Sequence, residues 1–155
     1  MMGRNPFAKR LKRLSSEDMD VVYEAMERTD TLRFADTLIT EVSGGEFQRV
    51  MFARALAQQP TVLFLDEAFS GLDISHKLRS LKLIRQLVEG ERLTVFAIMH
   101  DLNFAYSFSD EVLTLKDGEI RGFDTPKTLM TSAFIHSIFD IHVHHIEDKG
   151  LLVIP

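Results

Sequence analysis

The chain has 155 residues, with 18 Lys+Arg against 23 Asp+Glu for a formal net charge of −5, 45% hydrophobic and 26% charged residues, and no Cys. This composition excludes a disordered chain, a disulfide framework and any thiolate metal site, and no run approaches the roughly 18 apolar residues that a membrane-spanning helix requires. Arg4, Lys9, Arg10, Lys12 and Arg13 concentrate basic charge in the first 13 residues and leave the remainder acidic, so nucleic-acid binding is not expected. The basic opening reads as a solvated face. Met1 to Pro6 lacks the apolar stretch of a secretory signal, and a cytoplasmic location is expected.

Ser15-x-x-Asp18 is a capping pattern, and Met19, Val22 and Met26 recur at helical spacing, which predicts a helix over 16–28 within a segment that reads as helical to about 40. After Gly44-Gly45, residues 46–59 carry a broad apolar side and form a second helix that Pro60 ends. Residues 61–65 and 94–99 are short continuous apolar runs of the kind found in parallel strands buried on both faces. Between them, Leu78, Leu81, Ile84 and Leu87 give 74–89 a helical period, so the order is strand, helix, strand. Residues 111–115 and 119–123 flank Asp117-Gly118, a strong hairpin turn signal. A helical piece over 126–139 follows, then a second hairpin over 141–146 and 151–154 around Asp148-Lys149-Gly150.

Polar groups at the carboxyl ends of such strands project into a crevice, and both strands here end in polar residues. The first delivers Asp66-Glu67, whose side chains leave in different directions, so that one carboxylate can face a hydrated Mg²⁺ and the other a water; alone, the pair reads more readily as a plain loop start. The second delivers His100, which can donate to a phosphoryl oxygen or serve a structural purpose. Ser43-Gly44-Gly45 before a helix offers backbone N–H groups and a hydroxyl at the positive end of the helix dipole, an anion site or an ordinary cap.

The conjunction is more specific than its parts. Val42-Ser43-Gly44-Gly45-Glu46-Phe47-Gln48-Arg49 resembles the signature segment of ATP-binding-cassette (ABC) ATPases, usually Leu-Ser-Gly-Gly-Gln/Glu followed by Gln-Arg. Val62 to Glu67 resembles their Walker B strand, Ser70-Gly71-Leu72-Asp73 their D-loop, and His100 their switch histidine, all in the family's order. Val42 stands in place of the usual Leu and Ala68 in place of the common Pro, and neither change removes a reacting group. The resemblance extends over essentially the whole chain. It implies an α/β fold, part of the P-loop NTPase architecture: a helical-subdomain remnant over 1–58, then over 59–155 the C-terminal part of the parallel-sheet core with a terminal β-hairpin.

The family's P-loop ends in Gly-Lys-Ser/Thr, and none of the eight glycines here is followed by Lys; no Gln precedes Ser43, so the Q-loop is missing too. The chain therefore reads as beginning mid-domain and is expected to be inactive alone. In an intact protein the resemblance implies two nucleotide-binding domains packed head to tail, each ATP lying between one P-loop and the partner's signature. Ser43, Gly44, Gly45 and Glu46 would serve ATP bound to the partner, Asp66 would hold Mg²⁺ through water, Glu67 would be the general base, His100 would steady the γ-phosphate, and Asp73 would carry the signal between sites.

The resemblance further implies an energy-coupling subunit held at the inner face of the membrane by permease subunits, most similar to importers of iron-siderophore, haem or cobalamin. Two other classes compete: a chromosome-maintenance ATPase lobe, for which residues 1–42 lack the long heptads, and a non-catalytic docking module. His142, His144 and His145 read as an exposed strand face rather than a metal site. Apolar sheet surface is expected to lie open and drive self-association.

Overall fold

The computed structural model describes residues 15–91, 93–146 and 150–154. The basic opening and the Asp148-Lys149 turn signal lie outside these residues. Two compact units are formed, residues 1–98 and 99–155, and the sequence division at 58/59 falls inside the first.

In the first unit, the Ser15 hydroxyl accepts the Asp18 N–H at 3.1 Å while the Asp18 carboxylate accepts the Ser15 N–H at 3.2 Å. This capping box starts helix α1, Ser16–Arg28, where the pattern predicts it. Val22 and Ala25 on its apolar face pack with Ala57, Met26 and Leu56. The helix ends because side chains claim its last carbonyls: Thr29 Oγ1 donates to the Ala25 carbonyl at 2.8 Å, and the wholly buried Thr31 donates to that of Met26 at 3.1 Å. Between them Asp30, at φ 55°, pairs with Arg49, whose Nη1 lies 3.0 Å from Asp30 Oδ2 although Arg49 is only 5% exposed. The segment read as helical to about 40 is instead two short 3-10 turns, Leu32–Phe34 and Ile39–Glu41, since this Thr-Asp-Thr cluster competes with the helix for backbone partners.

Helix α2, Gly44–Leu56, begins two residues earlier than the apolar pattern suggests. Strand β1, Val62–Asp66, helix α3, Ile74–Glu91, and strand β2, Thr94–Ile98, follow. The two strands pair in parallel from Val62↔Thr94 to Asp66↔Ile98, so the strand, helix, strand reading holds. Their apolar runs have the composition of strands covered on both faces, yet the structure covers one face of β1 and leaves β2 with no buried residue, Val95 half-buried and Ala97 exposed. Leu63 and Leu65 are buried, whereas Phe64 is 74% and Phe96 57% exposed, their rings stacked with centroids 5.1 Å apart. Nothing among the described residues covers that face.

In the second unit, the Asp101 carboxylate accepts the N–H groups of Asn103 and Phe104 and starts α4, Leu102–Phe108. Strands β3, Val112–Lys116, and β4, Glu119–Asp124, form the hairpin expected from Asp-Gly, with φ 55° at Asp117 and 77° at Gly118. Left-handed values at both central residues match the right-handed strand twist. The single helical piece read over 126–139 is two helices, α5, Pro126–Leu129, and α6, Ser132–Phe139. Thr131 divides them by accepting the Phe134 N–H at 3.2 Å as a new cap.

Strands β5, His142–Ile146, and β6, Gly150–Ile154, pair antiparallel from His142↔Ile154. The core of this unit is Met130, Ile135, Val143 and Leu151. His142 stacks on His136 with ring centroids 4.4 Å apart, while His145 lies 5.6 Å from the Tyr106 ring. Asn103 Oδ1 accepts the Leu151 N–H at 2.6 Å and joins α4 to β6. A Cβ on Gly150, at φ 116°, would fall 2.6 Å from the same oxygen, so this approach requires glycine. Among the described residues no helix is long and apolar enough to cross a membrane.

Candidate functional site

Ser43 has extended backbone angles, φ −66° and ψ 163°, and caps α2. Its hydroxyl accepts the Glu46 N–H at 3.4 Å and donates to Glu46 Oε2 at 2.8 Å, and its own N–H donates to the same oxygen at 2.9 Å. The Ser43 N–H above all, then the Ser43 hydroxyl, with Arg33 and Arg49 adding positive charge, hold the Glu46 carboxyl below its ordinary value of 4.5. Arg33 Nη2 lies 3.6 Å from Glu46 Oε1. Glu46 is thus an internal anion seated on the donors of Ser43. The N–H groups of Gly44 and Gly45 belong to the first turn, where α-helical donors have no partner within the helix, and nothing lies within 4 Å of a Cβ built on Gly44. An anion at this end would meet the positive end of the helix dipole, with the Ser43 hydroxyl already engaged by Glu46.

The same end of α2 rests on the segment after β1. A Cβ on Gly45 would meet Leu72 Cδ2 at 3.4 Å and the Gly71 carbonyl oxygen at 3.6 Å. Deeper along the helix, Phe52 meets Phe69 edge to face at 5.5 Å. The structure therefore brings residues 43–46 and 70–73 together. Asp66 is the exposed last residue of β1. Glu67 follows in the left-handed region at φ 45°, and its carbonyl accepts the Ser70 N–H at 3.0 Å. For a residue with a Cβ that conformation costs roughly 1–2 kcal/mol and is concentrated at functional positions. Asp73 precedes α3, its Oδ1 accepting the His76 N–H at 3.0 Å and its Oδ2 lying 2.7 Å from His76 Nδ1. The His76 backbone N–H first, and its ring next, hold the Asp73 carboxyl below its ordinary 3.8. His100 belongs to the second unit, exposed and one residue before the cap of α4.

A family model described as ABC transporter matches residues 3–70. The cobalamin import ATP-binding protein BtuD of Halobacterium salinarum is 40% identical over 142 residues, covering 92% of this chain and 35% of that protein. The chain belongs to the ABC transporter ATP-binding family. Another member, the ferric enterobactin transport ATP-binding protein FepC of Escherichia coli K12, is 34% identical over 99% of this chain and 58% of its own length. The chain thus spans little more than a third of one of these ABC proteins and under two thirds of the other.

Solved ABC structures agree with this fold. A transporter of metal-chelate type in an inward-facing conformation superposes with a TM-score of 0.86 at 23% identity, over 99% of this chain and 64% of that one. The cassette MJ0796, described as dimeric and bound to ADP and Pi, superposes at 0.68 with 31% identity, over 76% and 51% of the two chains.

Two residues near this site carry no role in the sequence reading. His76 follows Asp73 at the three-residue spacing of a capping pair, a signal readable from Asp-x-x-His. Gln48 lies against Gly71, and only the tertiary structure reveals that contact.

Proposed function

We propose that the chain supplies the signature and Walker B parts of an ATP-hydrolysing, energy-coupling subunit of an ABC importer. The observation that carries this reading is the packing of the Ser43-capped start of α2 directly on residues 71–72, so that an anion-receptive helix end and the loop after the Asp66-Glu67 pair form one body. In the proposed mechanism Gly44 and Gly45 donate N–H groups and Ser43 its hydroxyl to the γ-phosphate held by a second nucleotide-binding domain. Asp66, an exposed oxygen donor at a strand tip, suits Mg²⁺ held through water. Glu67 takes the proton of the attacking water, His100 steadies the phosphate, and Asp73 carries the signal across the interface.

The relatives named for cobalamin and ferric enterobactin support an importer whose cargo is a metal chelate, recognised by permease partners that would hold this chain at the inner face of the membrane. No glycine in the 155 residues is followed by Lys, so the P-loop of the composite site must come from another segment. Calorimetry of the 155-residue chain with MgATP is expected to show no saturable micromolar binding. Joined in register to a P-loop and Q-loop segment, the chain should hydrolyse ATP, and Glu67→Gln should lower turnover by about 100-fold or more while sparing ATP binding. Unchanged hydrolysis in Glu67→Gln would remove Glu67 from the base role; no hydrolysis in any joined form would favour a docking module.

A further inference from the structure

Gly71 is exposed, yet the side of its Cα where a side chain would stand faces Gln48. A Cβ built on it would lie 3.1 Å from both Nε2 and Oε1 of Gln48 and 3.3 Å from Gln48 Cδ. Three residues before Gln48, Gly45 makes the matching approach to Leu72 and to the Gly71 carbonyl. Four residues after it, Phe52 meets Phe69. Positions 45, 48 and 52 lie at i, i+3 and i+7 and so line one stripe of α2. That stripe runs along residues 69–72, and its middle contact is an amide seated in the space a missing side chain leaves. Gln48 Oε1 is buried there without a hydrogen-bond partner. A buried unpaired amide oxygen costs about 1–3 kcal/mol, so this side chain is placed here at the expense of its own hydrogen bonding.

We propose that Gln48 is a positioning residue: its amide packs into the place a side chain on Gly71 would take and ties residues 70–73, with Asp73 at their end, to the helix that begins at Ser43. The neighbouring contacts cannot do this alone. Gly45 has no side chain to grip the loop, and Phe52 holds Phe69, which precedes the turn. Any tilt of α2 produced by an anion at Ser43 and Gly44 is then passed to Asp73 through close-packed atoms, since a packed contact shifts as a body instead of deforming continuously. The consequence for turnover rests on the proposed ATPase reading; the contact itself does not, and it is tested without nucleotide.

The measurement is amide hydrogen exchange and ¹H–¹⁵N spectroscopy on the 155-residue chain. Gln48→Ala should speed exchange at Ser70 and Leu72, whose N–H groups bond the Glu67 and Phe69 carbonyls, by about tenfold, with Phe52 and Ala53 in α2 unchanged and the melting temperature little altered. Gln48→Met, unbranched and of similar length, should keep exchange within about threefold of the parent. Adding Gly71→Ala to Gln48→Ala should restore part of the protection, because the new methyl enters the vacated space. Gly71→Ala alone should move the Gln48 side-chain amide resonances, an outcome that does not depend on Gln48→Ala folding.

Unchanged exchange at Ser70 and Leu72 in Gln48→Ala, or unmoved Gln48 amide resonances in Gly71→Ala, would overturn the proposal. Equal damage from Gln48→Met and Gln48→Ala would also overturn it, since filling the space would then not be what holds the loop. Failure of the ATPase reading would appear separately, as absent hydrolysis in the joined protein with the exchange pattern intact.

Discussion

His76 closes on Asp73 twice, through its backbone N–H at 3.0 Å to Oδ1 and through its ring Nδ1 at 2.7 Å to Oδ2, so both oxygens of the D-loop carboxylate are engaged by one residue. The aspartate that would carry a signal between sites is thereby held against the start of its own helix.

This predicts how Asp73 titrates. Its carboxyl lies below 3.8 in the folded chain because the His76 N–H and ring favour the charged form. A lowered folded value means that the contribution to stability is present above the unfolded value and is lost as pH falls through the folded one. His76→Ala should raise the Asp73 midpoint towards 3.8, and His76→Asn, which retains a side-chain N–H near the position of Nδ1, should restore part of the shift. The carboxyl carbon signal of Asp73, followed against pH, reads both; an unmoved midpoint in His76→Ala would show that the backbone N–H alone sets it.

The Ser43–Glu46 pair gives a second acid-side effect with the same sign. Glu46 sits below 4.5, chiefly through the Ser43 N–H and hydroxyl, so the cap of α2 should be intact above 4.5 and weaken as pH falls through the lower folded midpoint. Glu46→Gln retains an acceptor for Ser43 without the charge, and this part of the pH dependence should vanish. Ser43→Ala should cost about 1 kcal/mol of α2 stability as a lost cap. Urea unfolding across the acid range compares the three, and identical pH slopes in parent and Glu46→Gln would contradict the assignment.

Phe64 and Phe96 predict the association state. Phe64 is 74% and Phe96 57% exposed, and each 100 Å² of open apolar surface forgoes about 2.5 kcal/mol at ~25 cal/mol per Å², a large share of a domain's net stability. The 155-residue chain should therefore self-associate, with a melting temperature that rises with concentration, and Phe64→Lys with Phe96→Glu should shift it towards monomer. Light scattering coupled to size exclusion measures this; a stable parent monomer with a concentration-independent melt would refute it.

Much of the local architecture was legible before the structure. The capping pairs Ser15/Asp18 and Ser43/Glu46, the Asp117-Gly118 turn and the alternation of strand and helix from 62 to 98 depend on hydrogen bonds and periods that close within a few residues. The candidate residues Ser43 to Glu46, Asp66, Glu67, Asp73 and His100 stood out through their resemblance to the family's ordered motifs, and the roles assigned to them remain proposals. The breaks at Thr29-Asp30-Thr31 and at Thr131 were harder to read. A threonine hydroxyl that takes a backbone partner looks, in sequence, like one pointing into solvent.

By itself, then, the sequence determined the order of the strands and of most helices, because caps, tight turns and helical periods depend on contacts between near neighbours. Tertiary structure alone decided that Gln48 packs against Gly71, that Asn103 holds the Leu151 N–H across 48 positions, and that β1 is covered on one face only. These are meetings of residues far apart in the chain. Which side chain fills the space beside a glycine, and which strand face finds a covering layer, depends on how whole elements pack, and no local pattern records that packing.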